Sequence, residues 1–78
     1  MIIDIRDSSS YQKGHLDGAI SIPFNRLLLY PEKYLNKEVE YRLYCNSGSQ
    51  SKMLTSYLNR LGYHCVNIEG GYLKNLFK

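Results

Sequence analysis

The sequence has no tryptophan, two prolines and two cysteines. Cys45 and Cys65 could form one disulfide at most, and no Cys/His pair has zinc-finger spacing. Neither a disulfide framework nor a structural zinc is therefore available to staple the chain. No apolar run exceeds roughly four residues, far short of the ~20 needed to span a bilayer. The amino terminus, Met-Ile-Ile-Asp-Ile-Arg, lacks a basic segment ahead of a long apolar stretch, so no signal peptide is expected. The expected compartment is the reducing cytoplasm, where both cysteines stay thiols. Charge of one sign is also scarce. A net charge of +3 with scattered basic residues gives no clustered stripe for nucleic acid, and supports at most a mild preference for small anions.

What is present suits one small folded domain covering residues 1–78. At this length folding buries only about 60–65% of the surface of the unfolded chain, so stability is expected to be thin. The 44% hydrophobic fraction is ordinary for a globular protein. Eight tyrosines are unusual and point to no function by themselves.

Short strands and helices are predicted in alternation. Met1–Ile5 is an apolar run suited to a buried parallel strand. Asp7-Ser8-Ser9-Ser10 offers helix N-caps, with Gly14 as a stop. Ala19–Ile22 is a short strand ending at Pro23, Phe24–Tyr30 is apolar at helical spacing, and Pro31 starts a second short helix through Leu35. Val39–Tyr44 is a central strand running into Cys45. Ser51–Leu61 is the clearest helix: Leu54, Tyr57, Leu58 and Leu61 make one apolar face, and Gly62 stands where a C′ residue belongs. His64–Ile68 is a strand, Gly70-Gly71 a turn, and Tyr72–Phe77 a last amphipathic helix. This order predicts an α/β fold, a mostly parallel sheet with helices on both faces.

The loop Cys45-Asn46-Ser47-Gly48-Ser49-Gln50-Ser51 joins the central strand to the clearest helix. A helix amino terminus offers unpaired N–H groups and the positive end of the helix dipole. A loop of small polar residues around Gly48 can curl so that successive N–H groups point inward and cradle an anion. A cysteine at the mouth of such a cradle is held as thiolate, its reactive form. Core packing is the competing reading for any single cysteine in a strand, and for Cys65, between His64 and Val66, it is the preferred one.

Four segments resemble the single-domain rhodaneses, in order and across nearly the whole chain. Ile2-Ile3-Asp4-Ile5-Arg6 is similar to the family's apolar-apolar-Asp-x-Arg strand end. Gly14-His15-Leu16-Asp17-Gly18-Ala19-Ile20-Ser21-Ile22-Pro23 is similar to its Gly-His-Ile-x-Gly-Ala-x-x-Ile-Pro segment. The Cys45 loop and Gly70-Gly71 complete the set. The resemblance implies a small rhodanese-like α/β domain and ping-pong sulfur transfer. Cys45 thiolate would attack the outer sulfur of a donor such as thiosulfate. The persulfide would rest against the backbone N–H groups of Asn46, Ser47, Gly48, Ser49, Gln50 and Ser51, and cyanide or a cellular thiol would take the sulfur. Asp4, Arg6 and His15 would be structural, near the site. No general base, metal or organic cofactor is implied. Partners would be the small donor and acceptor, with a cysteine desulfurase or an acceptor protein as further candidates, and neither nucleic acid nor membrane.

The chain departs from the family pattern in several places. Where many such loops carry Arg it has Gln50, and where a tryptophan often follows Gly-Gly it has Asn75. Relative to the family it is short at both termini, which would leave a sheet edge bare and predicts either a monomer of low stability or a weak homodimer. The related phosphatases use a Cys-x5-Arg loop, and here that Arg position is Ser51, which removes the bidentate clamp for a phosphoryl group. The remaining alternative to a free sulfurtransferase is a persulfide carrier or protein-binding module with little thiosulfate activity.

Overall fold

The computed structural model describes residues 1–76. Strands β1 (Ile2–Asp4), β2 (Ala19–Ser21), β3 (Glu40–Tyr44) and β4 (His64–Asn67) form one sheet in the order β2-β1-β3-β4, and every neighbouring pair is parallel. Parallel neighbours need crossovers, and the helices supply them: α1 (Ser8–Lys13), α2 (Phe24–Leu29), α3 (Pro31–Tyr34) and α4 (Ser49–Arg60), with α5 (Gly71–Asn75) after β4. Because all strands run the same way, the segments leaving their carboxyl ends collect along one edge of the sheet, where open α/β folds place their sites.

The two faces are covered unequally. Register sets Ile3 beside Leu43 and Asp4 beside Tyr44, so the pairs point to opposite faces. Ile3, Ile5, Tyr41, Leu43, Cys45 and Cys65 pack with Leu27, Leu54 and Leu58 in one core. The other face carries Asp4, Arg6 and Tyr44 at its carboxyl end, under α1 and α5. There the Tyr11 hydroxyl donates to Ala19 O at 2.6 Å, and the Tyr44 and Tyr72 rings lie with centroids 6.4 Å apart. Farther back on that face the register partners Arg42 and Val66 are exposed.

Local signals explain most element ends. Asp7 caps α1 by accepting the Ser10 N–H at 2.8 Å. Gly62, at φ 101°, ends α4 with Gly62 N–H on Asn59 O and Tyr63 N–H on Leu58 O. Two expectations about α4 change. It begins at Ser49, not Ser51, with Gly48 at φ 100° as its N-cap. Its buried stripe is Ser51, Leu54, Thr55 and Leu58, whereas Tyr57 and Leu61 are 41% and 43% exposed. The helical spacing is the expected one, displaced by one turn because the first turn is rolled inward against Cys45. The last helix spans Gly71–Asn75, starting one residue before Tyr72, and Phe77 lies outside the described residues.

The carboxyl end of β1 is tied down by a buried ion pair. Arg6 Nη2 meets Asp4 Oδ2 at 2.7 Å and Nε meets Oδ1 at 3.0 Å, with Asp4 fully buried. The Tyr44 hydroxyl donates to Asp4 Oδ2 at 2.7 Å and accepts the Leu16 N–H at 3.0 Å. Arg6 Nη2 also donates to Gly14 O at 2.6 Å, and the guanidinium lies 4.1 Å from the Tyr72 ring centroid. Replacing Asp4 with Ala leaves the guanidinium buried without its carboxylate. The expected loss is about 3–5 kcal/mol by urea denaturation, much of the stability of a domain this small. A loss under ~1 kcal/mol would show the pair to be dispensable.

Candidate active site

Cys45 follows β3 directly, at the carboxyl edge of the sheet. Its side chain turns into the core face, leaving the residue 5% exposed. Two main-chain donors converge on its sulfur: Gly48 N–H at 3.2 Å and Ser51 N–H at 3.4 Å, with the Ser51 hydroxyl at 3.5 Å. Burial works against ionisation of this thiol. The contact with the Ser51 hydroxyl and the nearby N–H groups of Ser51, Gly48 and Gln50 outweigh it, and the pKa falls below the ordinary thiol value. Cys65, equally buried on β4 but with no such donors, is pushed the other way by burial, to about 11.

Within the seven-residue segment the expected cradle divides into two parts. Cys45, Asn46, Ser47 and Gly48 form the loop proper. Ser49, Gln50 and Ser51 are the first turn of α4, so part of the donor set is the helix's own amino terminus. The left-handed conformation at Gly48 makes the bend between them. Ser47 and Ser49 are exposed and share a hydroxyl contact at 3.2 Å, while Gln50 faces solvent without charge. The loop carbonyls are held away by α5: Tyr72 N–H bonds Cys45 O at 2.7 Å and Leu73 N–H bonds Asn46 O at 3.1 Å. A Cβ on Gly71 would overlap both of those oxygens, so the Gly-Gly turn lets α5 dock directly on the loop. Asn75, at the position where an aromatic was expected, instead donates to Glu69 O at 2.9 Å and Gly71 O at 2.7 Å, closing that turn.

A pocket of about 440 Å³ opens over the sulfur. Its walls include Arg6, Asp7, Pro23, Phe24, Asn46 and Gln50. Arg6 is its one cationic lining residue, and that guanidinium is already engaged by Asp4 and Gly14 O, with a longer contact to Asn46 Oδ1 at 3.4 Å. His15 stands apart from the pocket lining. Its ring stacks on Tyr11 with centroids 3.8 Å apart and its Nδ1 meets Tyr11 O at 2.9 Å. Among the described residues no group of three or more His, Cys, Asp or Glu side chains could hold a metal, and no helix is long and apolar enough to cross a membrane.

Sequence reasoning did not find Phe24 and Pro23 as pocket wall, Tyr44 as the partner of Asp4, or Asn67 as the partner of Ser51. Asn67 donates nothing to the site's sequence pattern. Only the pairing of β3 with β4, which sets Asn67 beside Leu43, brings it to Ser51.

The family model described as Rhodanese-like domain matches residues 1–75. The chain belongs to the rhodanese family. It is 34% identical over 74 residues to the putative sulfurtransferase YtwF of Bacillus subtilis, covering 92% of this chain and 69% of that protein. It is 36% identical to the thiosulfate sulfurtransferase PspE of Escherichia coli, covering 88% of this chain and 67% of that one. The fold is similar to the crystal structure of a rhodanese-related protein from Thermoplasma volcanium, with a TM-score of 0.87 and 26% identity over 97% of this chain and 75% of that one. Membership of this rhodanese family supports a sulfurtransferase-type enzyme.

Two outcomes test the site. At neutral pH, iodoacetamide followed by peptide mass mapping should modify Cys45 at least ~10-fold faster than Cys65, because hydrogen-bond donors lower the one thiol's pKa while burial raises the other's to about 11. Equal rates would dismiss the activated thiolate. Gly71→Ala should lower the Cys45 alkylation rate, since relief of the overlap with Cys45 O and Asn46 O has to displace the loop that carries the donors.

Proposed function

We propose that this chain is a thiosulfate sulfurtransferase of rhodanese type, acting in the cytoplasm through a Cys45 persulfide. The observation that carries the reading is the convergence of Gly48 N–H and Ser51 N–H on a buried sulfur at the end of a parallel strand. The thiolate attacks the outer sulfur of thiosulfate. A new S–S bond forms, the old one breaks, and sulfite leaves with the electron pair. The terminal persulfide sulfur carries the negative charge and extends into the pocket, within reach of the N–H groups of residues 46–51. Cyanide carbon, or the sulfur of a cellular thiol, then attacks that outer sulfur and the Cys45 thiolate returns. The charge remains beside the cradle throughout, so fixed main-chain dipoles serve every stage. The lowered thiol pKa lets the Cys45 proton leave to water, so this reading assigns no general base. Asp4, Arg6 and His15 act as scaffold: the first two lock the end of β1, and His15 is bonded within its own turn.

The neutral Gln50 and the committed Arg6 favour a second reading alongside the first, a persulfide carrier loaded by a protein donor such as a cysteine desulfurase. A dianion gains little from a pocket whose one cation is already paired.

The deciding assay is thiocyanate formation from thiosulfate and cyanide, with Cys45→Ser as control. The expected result is turnover in the wild type, loss of at least ~10³-fold in Cys45→Ser, and a mass increase of about 32 Da (one sulfur) on Cys45 after exposure to donor. If thiosulfate leaves Cys45 unmodified while a desulfurase still adds the sulfur, the carrier reading replaces the first.

A further inference from the structure

Ser51 is fully buried between Cys45 and Asn67, and its one hydroxyl proton has competing acceptors. Asn67 Oδ1 lies at 2.5 Å, Gly48 O at 3.2 Å and Cys45 Sγ at 3.5 Å. The short bond to Asn67 takes the proton. Ser51 then presents a lone pair to Cys45, and the bond between them runs from S–H to Oγ. That polarity suits the thiol. The thiolate has no proton to give, and it gains from Ser51 only when the O–H points at sulfur. Turning the hydroxyl that way takes the donor from Asn67 Oδ1. A half-turn of the flat Asn67 amide repairs this by bringing Nδ2 to the same place as a donor to Ser51 Oγ. An amide holds donor and acceptor at equivalent ends, so either direction of the chain can be completed without a buried group losing its partner.

We propose that Asn67 is a positioning residue for Cys45. Its amide reverses the direction of the Asn67–Ser51–Cys45 hydrogen-bond chain when the thiol proton leaves to water in the pocket. The residue acts through Ser51 and touches no substrate. The inference concerns the same sulfur as the proposed function, but its test reads ionisation rather than sulfur transfer, so either can fail alone. Other titratable groups near Cys45 are Arg6 and Asp7, which line the same pocket, and Cys65 in the same core, while Lys52 beside Ser51 and Glu69 beyond β4 are exposed.

The test is the pH dependence of Cys45 alkylation, read site by site by mass spectrometry. Asn67→Asp offers acceptors alone and holds the Ser51 proton away from sulfur, so the midpoint should rise by about one unit, some tenfold less thiolate at neutral pH. In a Ser51→Ala background the Asn67→Asp shift should shrink by more than half. A shift undiminished there would reduce the effect to the field of an added charge, and no shift in a folded Asn67→Asp would also overturn the proposal. Should Asn67→Asp not fold, the wild type supplies the measurement. The Asn67 side-chain amide signal in ¹⁵N–¹H spectra, assigned by its loss in Asn67→Ser, should titrate with the alkylation midpoint and cease to do so in Ser51→Ala. A signal that stays still in the wild type, or still moves in Ser51→Ala, overturns the proposal.

Discussion

The Asp4–Arg6 pair is the joint from which the reactive edge of the domain is hung. Asp4 and Arg6 stand at i and i+2 on one face of a strand, so their side chains meet where β1 ends. From there Tyr44 binds the end of β3, Gly14 O binds the α1–β2 connection, and Asn46 binds the loop itself. Burying such a pair is costly, and an apolar replacement could match its stability. What an apolar pair could not supply is direction: the fork of guanidinium bonds fixes three segments relative to one another. Burial first, and then the bond to Asp4, raises the pKa of the tyrosine beside it, so at neutral pH it is a donor.

Above this joint the electrostatics pass from side chains to main chain. The α4 amino terminus and the bend at Gly48 turn N–H groups onto Cys45, while α5 draws the loop carbonyls the other way. Both halves matter, because a carbonyl left pointing at the sulfur would cancel a donor. The Gly-Gly turn is therefore part of the electrostatics of Cys45 although no atom of it meets the sulfur. Cys65 supplies the internal comparison: the same residue type at the same burial, without donors, has its thiol driven up rather than down.

Much of this was legible in the chain. The strand–helix alternation, Gly62 as a helix stop, Asp7 as a cap and Cys45 at the strand–loop junction all follow from local patterns that survive folding. By sequence pattern α4 starts two residues late, because Ser49 and Gln50 look like loop, and only the bend at Gly48 shows that the helix has already begun. Apolar periodicity points Tyr57 and Leu61 to the core because it cannot see that Ser51, bonded into the site, and Thr55 on the same helix face turn inward. Tyr44 and Asn67 were out of reach for another reason. Each meets its partner through strand register, Tyr44 beside Asp4 and Asn67 beside Leu43, and register is a property of the assembled sheet.

The division of labour around the loop has a bearing on how such a domain can change. The main-chain donors on Cys45 Sγ belong to the backbone, and no single side-chain substitution in the loop deletes an N–H group short of introducing proline. The side chains of Asn46, Ser47, Ser49 and Gln50 meanwhile stand exposed around the opening. Rim and donors are thus written in separate alphabets: Ser47, Ser49 and Gln50 can be rewritten while the N–H groups beneath stay in place, and Asn46, through Arg6, stays tied to the frame.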